Sequence, residues 1–177
     1  MDAKGRCSRD DFLTKGLDVL AERGPRALSA TRLSRELNVT TGSFYWHFKS
    51  VHEFHDALRD YWQREVVVGV AREAQQRAND DPTKVLEELR QVILEQGTHR
   101  YDSAMRHWAK TNDDAARVIQ LADEWRQETM TGFLRSAGMV NEEAHDRILL
   151  VGAAWRGSDG LDPEHRLKLG RLATSKD

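Results

Sequence analysis

Cysteine, proline and long apolar runs are all scarce in this sequence of 177 residues. The single Cys7 cannot form an internal disulfide, and there are only three prolines to break helices. The longest apolar runs, Ile148–Trp155 and Val66–Ala71, fall far short of the roughly 18 residues that a membrane span needs. The charged start of the chain lacks the apolar stretch of a secretion signal. These absences predict a cytoplasmic protein with no membrane partner.

What the sequence does contain is the composition of a folded, helical protein. Apolar residues make up 39% of the chain and charged residues 32%, which excludes a disordered tail and a low-complexity sequence. Alternation of apolar and polar residues, typical of strands, persists nowhere, whereas helix start and stop signals recur along the whole length. The predicted fold class is therefore all-α.

Capping signals predict nine helices. A capping box of Ser8 and Asp11 opens the first helix, and a second box of Ser50 and Glu53 opens a long helix that runs to about Ala78. Two short helices lie between them, capped by Ser29 and by Thr40 or Thr41. The other five are predicted at 82–99 with Pro82 as first residue, 102–110, 112–137 with Thr111 as cap, 142–157 and 163–174. Because no linker interrupts the long helix, it is expected to join a domain at 1–50 to a larger one at 51–177.

The net charge of −2 conceals a split between these two parts. Residues 1–50 carry nine basic and six acidic side chains, whereas residues 51–177 carry 18 and 23. Within residues 23–50, Glu36 is the only acid beside five basic residues. A basic patch is typical of a surface that meets phosphate, although a charged stretch is more often a plain solvated face.

The same stretch, Ala27–Ser50, has the form of a helix-turn-helix, in which two short helices are joined by a turn of three to four residues. Its apolar positions would pack the second helix with a polar edge outward, as the major groove requires. Small residues on that edge allow close approach to a duplex, and hydrogen-bond donors flank it. The candidate DNA contacts are Ser29, Arg32, Thr40, Thr41, Gly42, Ser43, Tyr45, His47 and Lys49. The alternative is an αα-hairpin in a helical protein that never meets DNA.

Residues 8–60 closely resemble the DNA-binding domain of TetR-family transcriptional regulators. The resemblance combines Gly24, the pair Leu28-Ser29, Leu33, Leu37-x-Val39, the run GSFYWHF at 42–48 and the Ser50 cap. It implies that Thr41, Gly42, Ser43 and Tyr45 read bases or touch phosphate, and that His47 and Lys49 hold phosphate. Two residues depart from the family pattern. Val51 stands where a basic residue is common, and Asn38 replaces the common turn glycine, although asparagine tolerates a left-handed backbone.

The C-terminal part is similar, more loosely, to the effector-binding halves of one branch of that family. Several bulky side chains from separate predicted helices are candidates to line an effector cavity: Trp62, Tyr101, Met105, Trp108 and Trp125. Such residues are more often core filler than a binding site. If they line a cavity, an aromatic wall without clustered basic residues favours a small, apolar or aromatic effector.

The last two predicted helices are apolar on nearly all sides, so both sides must be covered. In a short chain the second cover is expected to be another copy of the protein, which predicts a two-fold dimer interface. The candidate interface residues are Ile148, Leu149, Leu150, Trp155 and Leu167. The alternative is a core formed within one chain.

These expectations combine into a homodimeric repressor that binds a palindromic operator in double-stranded DNA and is released by a small effector. An effector-independent DNA-organising or protein-partner module on the same fold is the alternative. An enzyme is not expected, because no nucleophile has an evident base partner. His52 and His55 lack further ligands nearby in sequence, so neither a metal nor another cofactor is predicted.

Overall fold

A computed structural model describes residues 7–79 and 81–138, and every regular element in these ranges is helical. The predicted all-α class is confirmed. In chain order the elements are α1 (Arg9–Arg23), a 3₁₀ turn (Pro25–Ala27), α2 (Ala30–Glu36), α3 (Thr41–His47), α4 (Val51–Tyr61), a π-helical segment (Trp62–Gly69), α5 (Val70–Arg77), α6 (Val85–Gln96), α7 (His99–Ala109) and α8 (Asp113–Ser136).

The described residues divide into two compact units. Within the described ranges, the first contains residues 7–66 together with Arg100–Val118, and the second contains residues 67–79, 81–99 and 119–138. The predicted long helix from Val51 is present as α4, the π-helical segment and α5 in direct succession. The wider π turn falls where the first unit gives way to the second. The domain division predicted at residue 50 stays a prediction.

Side-chain caps fix the ends of the first four helices. Ser8 and Asp11 form the predicted capping box: the Ser8 hydroxyl accepts from the Asp11 amide, and the Asp11 carboxylate accepts from the Ser8 amide. Ser29 and Thr40 cap α2 and α3 as predicted. Ser50 caps α4, but the Glu53 carboxylate accepts from the Lys49 amide at 2.9 Å instead of closing a box on Ser50.

Close packing of α1 against α4 builds the core of the first unit. Gly16 on α1 is buried, and a Cβ atom placed on it would lie 2.6 Å from Cζ of Phe54 and 3.0 Å from Cδ1 of Leu58. The absence of a side chain at Gly16 therefore sets how closely these two helices approach.

Packing of α5 against α6 organises the second unit. Val70 and Ala74 on α5 meet Val92 on α6 in a small buried cluster. At the surface, Arg77 of α5 bonds Glu95 of α6 at 2.7 Å. Both helices are amphipathic, so each buries its apolar stripe against the other.

Three predicted helix starts are wrong. Helix α7 begins at His99 and not at residue 102. Helix α6 begins at Val85 and not at Pro82, because the Asp81 carboxylate accepts from the amide of Thr83 at 3.0 Å and from its hydroxyl, and this local turn displaces the helix start. Helix α8 is capped by Asn112 and not by Thr111, since Oδ1 of Asn112 accepts from the Ala115 amide at 2.8 Å.

The helices predicted at 142–157 and 163–174 lie outside the described residues, as do the candidate interface residues Ile148, Leu149, Leu150, Trp155 and Leu167. No helix within 7–79 and 81–138 has the length and apolar character needed to span a membrane.

Candidate nucleic-acid interface

The turn between α2 and α3 depends on a left-handed residue. Asn38 has φ 54°, a conformation that asparagine tolerates better than most residues, and the expectation for this position is confirmed. The amide of Val39 then bonds the carbonyl of Ser34 at 2.9 Å, which closes the turn back onto α2. The angle between the two short helices is thereby fixed from within the motif.

Buried aromatic rings hold α3 in place. Phe44 and Phe48, both fully buried, lie with their ring centroids between 5.1 and 6.2 Å from those of Phe12 on α1 and Phe54 on α4. A seven-residue helix has little stability of its own, so this cluster supplies the burial that keeps it folded. The opposite side of α3 is consequently presented to solvent on a rigid base.

The solvent side of α3 carries most of the predicted DNA contacts. Thr41, Gly42 and Tyr45 are exposed, and Ser43 is half-buried. The Ser43 amide donates to the hydroxyl of Thr40 at 3.3 Å, and the two hydroxyl oxygens lie 3.1 Å apart. Nothing lies closer than 3.5 Å to a Cβ placed on Gly42. This surface of small and hydroxylated residues, with one aromatic at its end, can approach a base edge without a steric barrier.

The flanking candidates occupy different environments. Lys49 follows α3 with an exposed side chain, which leaves its ammonium available to phosphate. On the other side, the Ser29 hydroxyl is engaged as the cap of α2, where it accepts from the amide of Arg32 at 3.3 Å, and the Arg32 side chain is half-buried.

His47 is tied to the protein itself. Its Nε2 lies 2.9 Å from the carbonyl oxygen of Cys7, which can only accept, so this nitrogen carries a proton and donates. The ring also packs 5.7 Å from Phe12. A phosphate contact by His47 would therefore have to use Nδ1.

Sequence reasoning missed Trp46, which is 70% exposed on the same helix. Its indole meets the His47 ring edge-on, with centroids 4.7 Å apart. The available signal was its position three residues after Ser43 and four after Gly42, which places it on their side of the helix.

The candidate effector residues are distributed over both units. Trp62 and Met105 are fully buried in the first unit, and Trp108 is nearly so. Tyr101 is half-buried in that unit, and Trp125 is half-buried in the second. Whether any of them lines an effector site stays a prediction.

Two polar networks join α7 to the helices of the first unit. The hydroxyl of Tyr101 donates to Asp18 on α1, and the pKa of Tyr101 is raised, chiefly by burial and then by this bond. The guanidinium of Arg59, almost fully buried on α4, lies 5.3 Å from the ring of Trp108 and pairs with Asp56 and Asp114.

A histidine next to Trp108 links α4 to the start of α2. The ring of His55 lies 5.3 Å from that of Trp108, and its Nε2 is 3.4 Å from the carbonyl oxygen of Leu28. Burial lowers the pKa of His55, because a charged imidazolium loses hydration there.

Comparisons with known proteins agree with this arrangement. Residues 12–57 match the family model described as bacterial regulatory proteins, tetR family. Among solved structures, the chain is similar in fold to a transcriptional regulator from Rhodococcus sp. Rha1, with a TM-score of 0.67 and 19% sequence identity over 94% of this chain and 93% of that one. No curated protein is significantly similar in sequence.

Proposed function

The match of residues 12–57 makes the chain a TetR-family transcriptional regulator, and from this premise we propose that it binds a palindromic operator in double-stranded DNA as a homodimer. We further propose that it acts as a repressor and that a small, apolar or aromatic effector releases it. The effector would act by binding the DNA-free state more tightly than the DNA-bound state.

The observation that carries operator binding is the exposed edge of α3. Thr41, Gly42 and Tyr45 face solvent on α3, whose other side is buried through Phe44 and Phe48. Lys49 follows the helix with an exposed, charged side chain. A rigid reading edge flanked by a cation combines base contact with phosphate positioning. The excess of basic residues in 23–50 supports the same partner.

Selection from a random pool of duplexes tests this proposal. The wild-type protein should enrich a palindrome whose half-sites lie about 10 base pairs apart, or a multiple of that, centre to centre. Tyr45→Ala should bind the selected duplex more weakly at a temperature where both proteins are folded. Failure to enrich any sequence, or enrichment of a single unpaired half-site, would contradict operator binding by a dimer.

Dimerisation is supported by the apolar sequence of residues 148–172. Wild-type protein should sediment as a dimer at micromolar concentration. Leu150→Glu or Leu167→Glu should give monomers or aggregates, because each would bury an unpaired charge. A monomeric wild type would contradict the proposal whatever the variants do.

The effector can be sought by fluorescence in the absence of DNA. In a Trp46→Phe background the remaining tryptophans report on the body of the protein alone. A library of small apolar and aromatic compounds should contain members that quench this emission and release the selected duplex from wild-type protein over the same concentration range. Release only by nucleotides or sugar phosphates would contradict the apolar character proposed for the effector.

One observation fits the effector-independent alternative equally well. Trp62, Met105 and Trp108 are as buried as ordinary core residues, which suits a packed interior as well as a site. If the selected duplex is bound tightly and no compound changes that affinity, the protein is a DNA-organising or protein-partner module on this fold.

A further inference from the structure

We propose that Trp46 determines part of the operator sequence by packing its indole against the C5-methyl group of a thymine in the major groove. This inference rests on the proposed operator binding and deepens it, because it assigns a base and a chemical group to one side chain. Trp46 itself contributes little to the buried core of the helix-turn-helix.

The exposure of Trp46 distinguishes it from the other large apolar side chains of the described residues. Its exposed fraction of 70% exceeds those of Tyr45 at 52%, Leu121 at 49% and Leu94 at 39%. An exposed apolar side chain is common on protein surfaces and means nothing alone. For Trp46, the position on α3, the helix that carries the proposed DNA contacts, is what indicates DNA as its partner.

The indole shares a side of α3 with the two smallest residues of the helix. Gly42 and Ser43 precede Trp46 by four and three residues, so the three lie on adjacent turns of one face. Phe44 and Phe48 occupy the buried side. A duplex that approaches closely enough to touch Gly42 must therefore also meet the indole.

Electrostatics decides between a phosphate and a base as the group that meets the ring. Trp46 lines an open groove with Asp11, Asp18 and Lys15, and the Nε2 of His47, which also lines it, is already bonded to the Cys7 carbonyl. Two carboxylates beside one ammonium leave this groove without an excess of positive charge to hold a phosphate. An uncharged, apolar group suits it better. In the major groove the apolar group on the base edges is the C5-methyl of thymine.

The indole is also restricted on one side before DNA arrives. The ring of His47 stands perpendicular to it, with an interplanar angle of 89°, and His47 is itself anchored to the Cys7 carbonyl. A side chain that is already restricted loses less rotamer entropy on binding. This arrangement supports a contact that discriminates between bases instead of one that adapts to any of them.

Replacement of single thymines by deoxyuridine tests the proposal, because it removes the methyl group and little else. The duplex is the one that wild-type protein selects, and the thymines are replaced pairwise in the two half-sites. Replacement of one symmetric pair of thymines should lower wild-type affinity by about fourfold per half-site, which is the change in affinity expected from the burial of one methyl group. Trp46→Ala should bind the parent duplex more weakly and show no loss at that pair, whereas Trp46→Phe should keep part of it.

Leu121→Ala serves as the matched control, since it shortens a large apolar side chain that is also exposed but belongs to the second unit, and it should keep the full sensitivity to deoxyuridine. A loss at every thymine pair that is identical in wild type and Trp46→Ala would overturn the assignment, as would selected half-sites without thymine. In either case the selected duplex would still be bound, so operator binding would stand. If no duplex is enriched at all, operator binding itself fails, and this assignment with it.

Discussion

The hydroxyl of Tyr101, on α7, lies 2.8 Å from a carboxylate oxygen of Asp18, on α1, and donates a hydrogen bond to it across 83 positions of sequence. Arg100 donates to the same oxygen at 2.9 Å, and Lys15 pairs with the other oxygen at 3.3 Å. A residue considered for an effector cavity thus contacts the first helix of the DNA-binding part. Any ligand that displaced the Tyr101 hydroxyl would act directly on α1.

Tyr101→Phe should lower the free energy of unfolding by roughly 1 kcal/mol, because it removes the hydrogen bond that the hydroxyl donates to Asp18 and the one that it accepts from Arg100 at 2.6 Å, while Arg100 and Lys15 still neutralise the carboxylate. Urea denaturation measures the change. In a double-mutant cycle with Asp18→Asn, the two losses should be less than additive. Tyr45→Phe, which removes a hydroxyl from an exposed ring, is the control and should leave stability unchanged; equal losses in the two variants would count against the bond.

The features predictable from sequence are those set by residues within about four positions of each other. The Ser8 and Asp11 box is such a feature, and so is the left-handed Asn38. The start of α6 could not be predicted because the Asp81 carboxylate can accept hydrogen bonds in two local arrangements, as the cap of a helix or in a turn with Thr83. In the structure it forms the turn.

The candidate site also has features that can be predicted from local sequence and features that cannot. Phe44 and Phe48 could be assigned to the core from helical spacing, since one face of a short helix must be buried. The bond between Tyr101 and Asp18 could not, because no local pattern pairs residues on helices that meet only in the folded protein. His47 shows the limit most clearly, since its spacing suits a phosphate contact while its Nε2 is already bonded to Cys7.

Gly16→Ala and Gly42→Ala should separate the structural from the binding role of glycine in the same domain. The new methyl group at position 16 would lie 2.6 Å from Phe54, so α1 and α4 must move apart, at a cost of roughly 1–3 kcal/mol of stability. At position 42 the methyl group would make only an ordinary contact, 3.5 Å from the Thr40 hydroxyl, and stability should be unchanged or slightly raised. Thermal unfolding checks both.

Binding of the selected duplex should rank the same two variants in the opposite order. Gly42→Ala should weaken binding at a temperature where both proteins are folded, because the methyl group keeps α3 away from the bases. Folded Gly16→Ala should retain most of its affinity. A Gly42→Ala protein with wild-type affinity would exclude close approach of the duplex at this residue.

Lys49→Ala should reduce both the affinity for the selected duplex and its dependence on salt. Without one phosphate contact, DNA binding releases about one counterion fewer. The magnitude of the slope of log affinity against log salt should therefore fall by about one. Fluorescence anisotropy over a range of salt concentrations gives both quantities. Lys84→Ala, at an exposed lysine of the second unit, is the matched control. An unchanged slope in Lys49→Ala would remove this residue from the interface.

Acid should destabilise the contact between α4 and the start of α2 through His55. Burial favours the neutral imidazole and lowers its pKa in the folded protein, and the neighbouring Arg59 and His52 act in the same direction. The bond to the Leu28 carbonyl and the charge of Asp56 oppose this shift without reversing it. The unfolded chain, with an ordinary histidine pKa near 6.5, therefore takes up a proton first as the pH falls.

The sign of the effect follows from this order of protonation. Between the ordinary pKa and the lower folded one, the unfolded state binds more protons, so the stability contributed by neutral His55 is complete above about pH 6.5 and is lost as the pH falls below it. Urea denaturation at pH 7.5 and 5.5 measures the loss. His55→Gln can still donate to the Leu28 carbonyl but does not titrate, so its stability should fall less than that of the wild type. His107→Gln, at an exposed histidine of α7 that is not among the groups acting on His55, should show the full loss. Equal losses in wild type and His55→Gln would show that acid acts elsewhere in the protein.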